Sequence, residues 1–386
     1  MKNYTLILST LLLSNAANAA TVKIGVLAPV TGSISAIGLD VKRGAELAVA
    51  QRRAEFARMG ITLETVLLDD QGDATTGAAQ VENAMKDPLL LGVIGPTKSG
   101  VSLKVGEMLA RSTNPLPFIS PASTNDDLTK NKWTFFFRMT SPDGAQADTA
   151  ATYIAREIKA KSVFIVSDNQ TFANGIAGVL GAELKQRRIS TQLGAANVGD
   201  VKAQAALVER IKAAKPDLVF YAGLYDGGGP FIRALRAAGV TTSFMGGNGL
   251  DSPEFVRLAQ GDAGGTRFIT GFGPVQNYVN GQNYISDFQK AYNTPPAVRS
   301  AFTYDSMNTM LNALANSYHS LRKVPTRAQL ISAVQSVNSP TNRNVTGAIA
   351  FTPTGERRSS PMFVVEIDAH TLATNVIYGT RYAAPR

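Results

Sequence analysis

Short apolar runs alternate along this chain with segments whose apolar residues recur every three or four positions, a pattern of strands followed by helices. Val22 to Leu27 is the first run. A turn-rich loop follows (Pro29, Thr31, Gly32, Ser33, Gly38), then a helical face made by Val41, Ala45, Ala48 and Val49. The cycle repeats with a strand at 61–68 and a helix at 74–86. Next come a strand at 89–94, a helix carrying Val101, Val105, Met108 and Leu109, and Phe118-Ile119 behind two prolines. Strands that are apolar on both faces and alternate with helices predict a parallel sheet covered on both sides.

A second series begins near Thr140, with strands at 162–166, 217–221 and 267–270 and helices at 173–186, 203–214 and 229–238. After Gly271 the pattern is mostly helical (284–292, 300–318, 327–337), and strands return at 347–351, 362–367 and 376–382. The expected fold is α/β: two doubly wound parallel-sheet lobes joined by a multi-strand hinge. One lobe takes 20–139 and 271–358, the other 140–270 and 359–386. In such folds ligands gather at the carboxyl ends of the strands, so the cleft between the lobes is the natural pocket.

A longer apolar stretch precedes all of this. Lys2 leads into Thr5 to Leu13, and Ala17-Asn18-Ala19 supplies a small-residue cleavage pattern. That run is shorter than the roughly 20 residues a spanning helix needs, so 1–19 reads as a secretory signal removed after Ala19. The mature chain is then expected in a bacterial periplasm. Cysteine is absent, which excludes disulfides, Cys-ligated zinc, thiol nucleophiles and a lipid-bearing cysteine behind the signal. The formal charge of +9 is spread out, its longest clusters being pairs such as Arg52-Arg53, Arg187-Arg188 and Arg357-Arg358. A solvated basic surface accounts for it, and no nucleic-acid groove is expected.

The loops at strand ends carry the unusual residues. Gly95 and Gly100 have the spacing of a phosphate loop, but Val101 follows where Lys and then Ser or Thr are needed, and Lys98 sits inside the loop. What survives is a helix N-terminus able to attract an anion as small as one carboxylate. Ser120 to Thr124 forms a second small, hydroxyl-rich loop on the same sheet. Ser99 and Thr124 fit two uses, as helix caps or as donors to a carboxylate beside the backbone N–H groups near Gly100 and Ala122. Two such loops at neighbouring strand ends favour a ligand.

No enzyme site assembles. His319 and His370 stand in no metal-ligand spacing and beside no nucleophile motif, and Asp69-Asp70 are adjacent on an extended segment, where they point to opposite sides. Neither a cofactor nor a metal is expected.

Over essentially the whole mature chain the sequence resembles the leucine/isoleucine/valine-binding family of periplasmic proteins, the type I solute receptors of branched-chain amino-acid ABC transporters. The stretches that carry the likeness are VKIGVLAPVTGSISAIG with RGAELAV, then LLDDQGD, VIGPTKSGVS, ISPASTN, VSDNQTFANG, FIRALRAAG, FMGGNGL and TYDSMN. The resemblance implies that Ser99, Thr124 and the backbone at Ala122 grip a ligand carboxylate. It also implies that Ile37, Phe172 and Leu224 stand at cleft positions where amino-acid binders often carry tyrosine. Asn248 falls where those binders place an acid that pairs with the α-ammonium; Asp226 or Asp251 is a candidate substitute. The expected ligand is a small carboxylate or amino acid, held also by Phe172, Tyr225 and Asn248 of the second lobe. The expected partner is a membrane permease, with the receptor a monomer. The alternative is a periplasmic sensor of the same fold feeding a signalling partner; a repressor would need a DNA-reading helix pair where the leader stands.

Overall fold

A computed structural model describes residues 19–384. Of the leader expected at 1–19, all but Ala19 lies outside the described residues. The first sheet is built from β1 (Ala20–Ala28), α1 (Ser35–Arg58), β2 (Ile61–Asp69), α2 (Ala74–Ala84), β3 (Leu90–Ile94), α3 (Ser99–Ala110), β4 (Phe118–Ser120), α4 (Asp127–Lys130) and β5 (Phe136–Arg138). Its strand order is β2-β1-β3-β4-β5, with every pair parallel. The two-residue period of β1 explains how it sits: Val22, Ile24 and Val26 face one apolar core while Leu27 faces the other.

The chain then builds a second sheet from α5 (Asp143–Tyr153), β6 (Ser162–Ser167), α6 (Thr171–Gln186), β7 (Ser190–Ala195), α7 (Val201–Ala214), β8 (Leu218–Tyr221), α8 (Tyr225–Ala237), β9 (Ser243–Gly246), α9 (Pro253–Ala259) and β10 (Arg267–Thr270). It returns to the first sheet as α10 (Gly281–Tyr292), α11 (Val298–Leu321) and α12 (Arg327–Gln335). Phe302, Met307, Met310, Leu314 and Leu330 pack there against Val22, Ile24 and Val26. The short strands β11 (Asn338–Ser339) and β12 (Ile349–Ala350) pair with each other. Finally β13 (Ser359–Ile367) and β14 (Thr374–Ala383) add antiparallel strands beside β10, giving the order β14-β13-β10-β9-β8-β6-β7. Apolar clusters cover both faces of this sheet too.

The sequence pattern misses β5, β7, β9 and β11, and the helices α4, α5 and α9. β7 is an edge strand whose side chains are exposed apart from Gly194, so it has no apolar run to betray it. α8 starts at Tyr225, four residues before the expected Gly229, because Gly227-Gly228-Gly229 continues the helix. A Cβ at Gly228 would stand 2.6 Å from Leu250 Cδ2, and one at Gly229 2.6 Å from Leu258 Cβ. Those glycines are there for close packing, at the expense of helix propensity.

Three passages of chain between the sheets lie side by side. Arg357 donates to the Met139 carbonyl (3.1 Å), the Ser141 and Ser360 hydroxyls bond each other (2.6 Å), and a Cβ on Gly271 would touch Ser141 and Thr140. Arg138, fully buried, anchors this seam: Nε and Nη2 donate to Glu356 (3.0 and 2.5 Å), and Nη1 donates to the Asn125 carbonyl (2.8 Å). Among the described residues no helix is long and apolar enough to cross a membrane, and no group of three His, Asp or Glu could hold a metal.

A buried ion pair broken on one side leaves an uncompensated charge. Glu356→Ala is therefore predicted to lower unfolding stability by about 3–5 kcal/mol, measured by urea denaturation. A loss below about 1 kcal/mol would contradict the anchoring role of Arg138.

Candidate ligand site

The site begins where β3 ends. Gly95 has φ +112°, and a Cβ there would fall 1.9 Å from the Leu27 carbonyl oxygen, so only glycine lets this turn leave the sheet so close to β1. The loop then opens α3. Ser99 is the first residue of that helix, behind the N-cap Lys98, and its Oγ accepts no N–H of its own helix. It reaches instead to the neighbouring loop and accepts the backbone N–H groups of Thr124 and Asn125, both at 3.2 Å. The capping use of Ser99 is thus replaced by a bridge between loops.

Three further serines, not singled out in the sequence, complete the bridge. Ser120 Oγ donates to the Pro96 carbonyl (2.9 Å) and accepts Ser123 N–H (3.0 Å), while the Ser102 and Ser123 hydroxyls bond each other at 2.7 Å. All are buried. The hydroxyl-rich composition of both loops was the available signal, but not the pairing.

A hydroxyl oxygen that accepts two N–H bonds still has its own proton to give. Ser99 can therefore donate to an anion. The loops face a cavity of about 200 Å³, smaller than the roughly 300–1,000 Å³ of drug-sized pockets, so its occupant is a small molecule. Ser99, Ala122 and Thr124 line it from the first sheet, with Thr97, whose hydroxyl is buried without a partner among the described residues. Ile37, Phe172, Leu224 and Asn248 line it as well.

Tyr225 does not line the cavity. As the first residue of α8 it turns into the second half's core, where its ring is 1% exposed and its hydroxyl has no partner among the described residues. Neither candidate acid lines it either. Asp226 accepts a bond from Ser33 (2.8 Å) and Asp251 one from Thr270 (2.6 Å). The charged residues on the wall are Asp73, Lys98 and Arg299, of which Arg299 had no motif to mark it in the sequence.

The two halves meet around this cavity. Ile34 and Ile37 pack into the second half's core beside Tyr225 and Leu250, Ser33 bonds Asp226, and Asn125 Nδ2 donates to the Thr171 carbonyl at 3.4 Å.

A family model described as periplasmic binding protein matches residues 21–371. The chain belongs to that family. The Leu/Ile/Val-binding protein BraC3 of Rhizobium johnstonii is 33% identical over 249 residues, which is 64% of this chain and 67% of that relative. The crystal structure of a leucine-binding protein, LivK, from Thermotoga maritima has a TM-score of 0.83 at 22% identity, covering 93% of this chain and 98% of that one. An ABC-transporter solute-binding protein from R. palustris, solved with benzoate, has a TM-score of 0.81 at 18% identity, covering 95% and 98%. The likeness to both solved structures is one of fold.

Asp143 stands next to the second of the hydroxyl-rich loops, its N–H donating to the Thr124 carbonyl at 2.8 Å. Burial pushes its pKa up to about 7, opposed first by the Thr124 side chain beside it. The folded protein therefore keeps a proton that the unfolded chain, with a carboxyl near 3.9, gives up. This group's contribution to stability is full below about pH 4 and is lost as pH rises towards 7. Asp143→Asn is accordingly predicted to match the parent near pH 4 and to exceed its denaturant midpoint at pH 8. A gap between variant and parent that does not change with pH would contradict the shift.

Proposed function

We propose that the protein is the periplasmic solute-binding component of an ABC uptake transporter, holding a small carboxylate or amino acid between its two halves. One observation carries this reading: two hydroxyl-rich loops at adjacent strand ends, locked by Ser99, present Ser99, Ala122 and Thr124 to a cavity whose remaining walls include Phe172, Leu224 and Asn248. The carboxylate is held by the Ser99 and Thr124 hydroxyls and the backbone N–H at Ala122; Ile37, Phe172 and Leu224 enclose the rest, and Asn248 meets its polar end. The names of the relatives, several of them Leu/Ile/Val-binding proteins, agree with a carboxylate-bearing solute.

In this reading the moving bodies are 20–139 with 271–358, and 140–270 with 359–386, turning about the three-stranded seam. Contacts divided between the bodies exist only when they close, so the ligand favours closure by its differential affinity. A membrane permease then recognises the closed receptor, a monomer delivered through a cleaved signal at 1–19. No catalytic step is involved.

Ser99→Ala and Thr124→Val are each predicted to weaken binding of the captured solute by about 1–3 kcal/mol by calorimetry, the worth of a hydrogen bond to a charged group, with folding retained. Unchanged affinity in both variants would reject the clasp.

A further inference from the structure

Next to Asn248 the cavity wall carries a cation that the carboxylate clasp does not use. Arg299, the second residue of α11, is 5% exposed and lines the cavity beside Asn248. Its guanidinium lies over the Phe272 ring at 4.9 Å, donates from Nη1 to the Asp251 carbonyl (2.9 Å) and from Nη2 to the Asn248 carbonyl (3.0 Å). Those partners are neutral carbonyls. Burial draws its pKa down, and the acids that oppose this, Asp251 and Asp40, are bonded elsewhere: Asp251 to Thr270, and Asp40 to the N–H groups of Ala297 (3.0 Å) and Ser300 (2.8 Å). Neither touches the cavity.

The lining thus holds two cations, Lys98 and Arg299, against the single acid Asp73, which is engaged in capping α2 through Thr76 N–H at 2.7 Å. A zwitterionic amino acid would bring no net charge to this surplus. Its ammonium, one carbon from the clasped carboxylate, would meet an amide and a guanidinium with no free carboxylate, a juxtaposition that disfavours binding. A monoanionic acid balances the lining instead. An oxygen at its far side also finds donors in Asn248 and the Arg299 wall.

We infer that the solute is a small carboxylic acid without an ammonium group, carrying an oxygen acceptor such as a 2-oxo or hydroxyl group towards Asn248 and Arg299. This rests on the carboxylate clasp and narrows it.

The test is calorimetry on the full mature chain, stripped of bound solute by unfolding and refolding, with pairs that share a carbon skeleton. Leucine is set against 4-methyl-2-oxopentanoate and phenylalanine against phenylpyruvate, with benzoate and 4-hydroxybenzoate as acids whose carboxylate sits directly on an aromatic ring. Acids are predicted to bind at least about tenfold tighter than their amino partners. Tighter binding of leucine or phenylalanine would overturn the inference while leaving the carboxylate reading standing. Binding of nothing in the panel would overturn both. Asn248→Asp supplies a second readout that keeps the arginine in the chain: a carboxylate added beside Arg299 should shift the ratio at least about tenfold towards the amino acids, and an unchanged ratio would contradict the assignment.

Discussion

The organisation of this molecule around a ligand depends on one hydroxyl oxygen accepting two backbone N–H groups. Through Ser99, the loop after β3 and the loop after β4 become a single surface, further locked by the buried hydroxyls of Ser102, Ser120 and Ser123. Parallel strands bring loops to the same edge by topology alone. What the serines add is fixed geometry, and in the proposed role that leaves little ordering to be done at the moment of binding.

The two halves contribute different chemistry to the cavity. The first supplies hydroxyl and backbone donors suited to a carboxylate, together with Lys98 and Arg299; the second supplies Phe172, Leu224 and Asn248. Arg299 itself crosses the boundary, since it springs from the helix packed on the first sheet and holds the carbonyls of Asn248 and Asp251 on the second. One side chain therefore both joins the halves and lines the space between them. Buried carboxyls nearby follow the same logic of desolvation: Asp70 is pushed up to about 6, and Asp168 and Asp251 are also raised by burial.

Much of this was legible in the chain. The alternation of buried strands and amphipathic helices foretold two sheets with parallel strands, though not the antiparallel β13 and β14 of the second, and Ser99, Ala122 and Thr124 were marked by their loops. Other features were not legible, for physical reasons. β7 is a polar edge strand, and the glycine run of α8 contradicts helix propensity because it is selected for contact with Leu250 and Leu258. Tyr225, adjacent to Leu224, has the right neighbour and the wrong direction, because its side chain turns into the core. Arg299 lay in a helix 48 residues from its nearest bonded partner Asp251, a proximity that no local pattern records.

The most direct test of the central claim is a crystal structure of the protein purified with its solute in place. The account predicts a carboxylate within hydrogen-bond distance of Ser99 Oγ and the Ala122–Thr124 backbone, enclosed by both halves. A solute bound elsewhere, or one turned so that no acid group meets those loops, would contradict it.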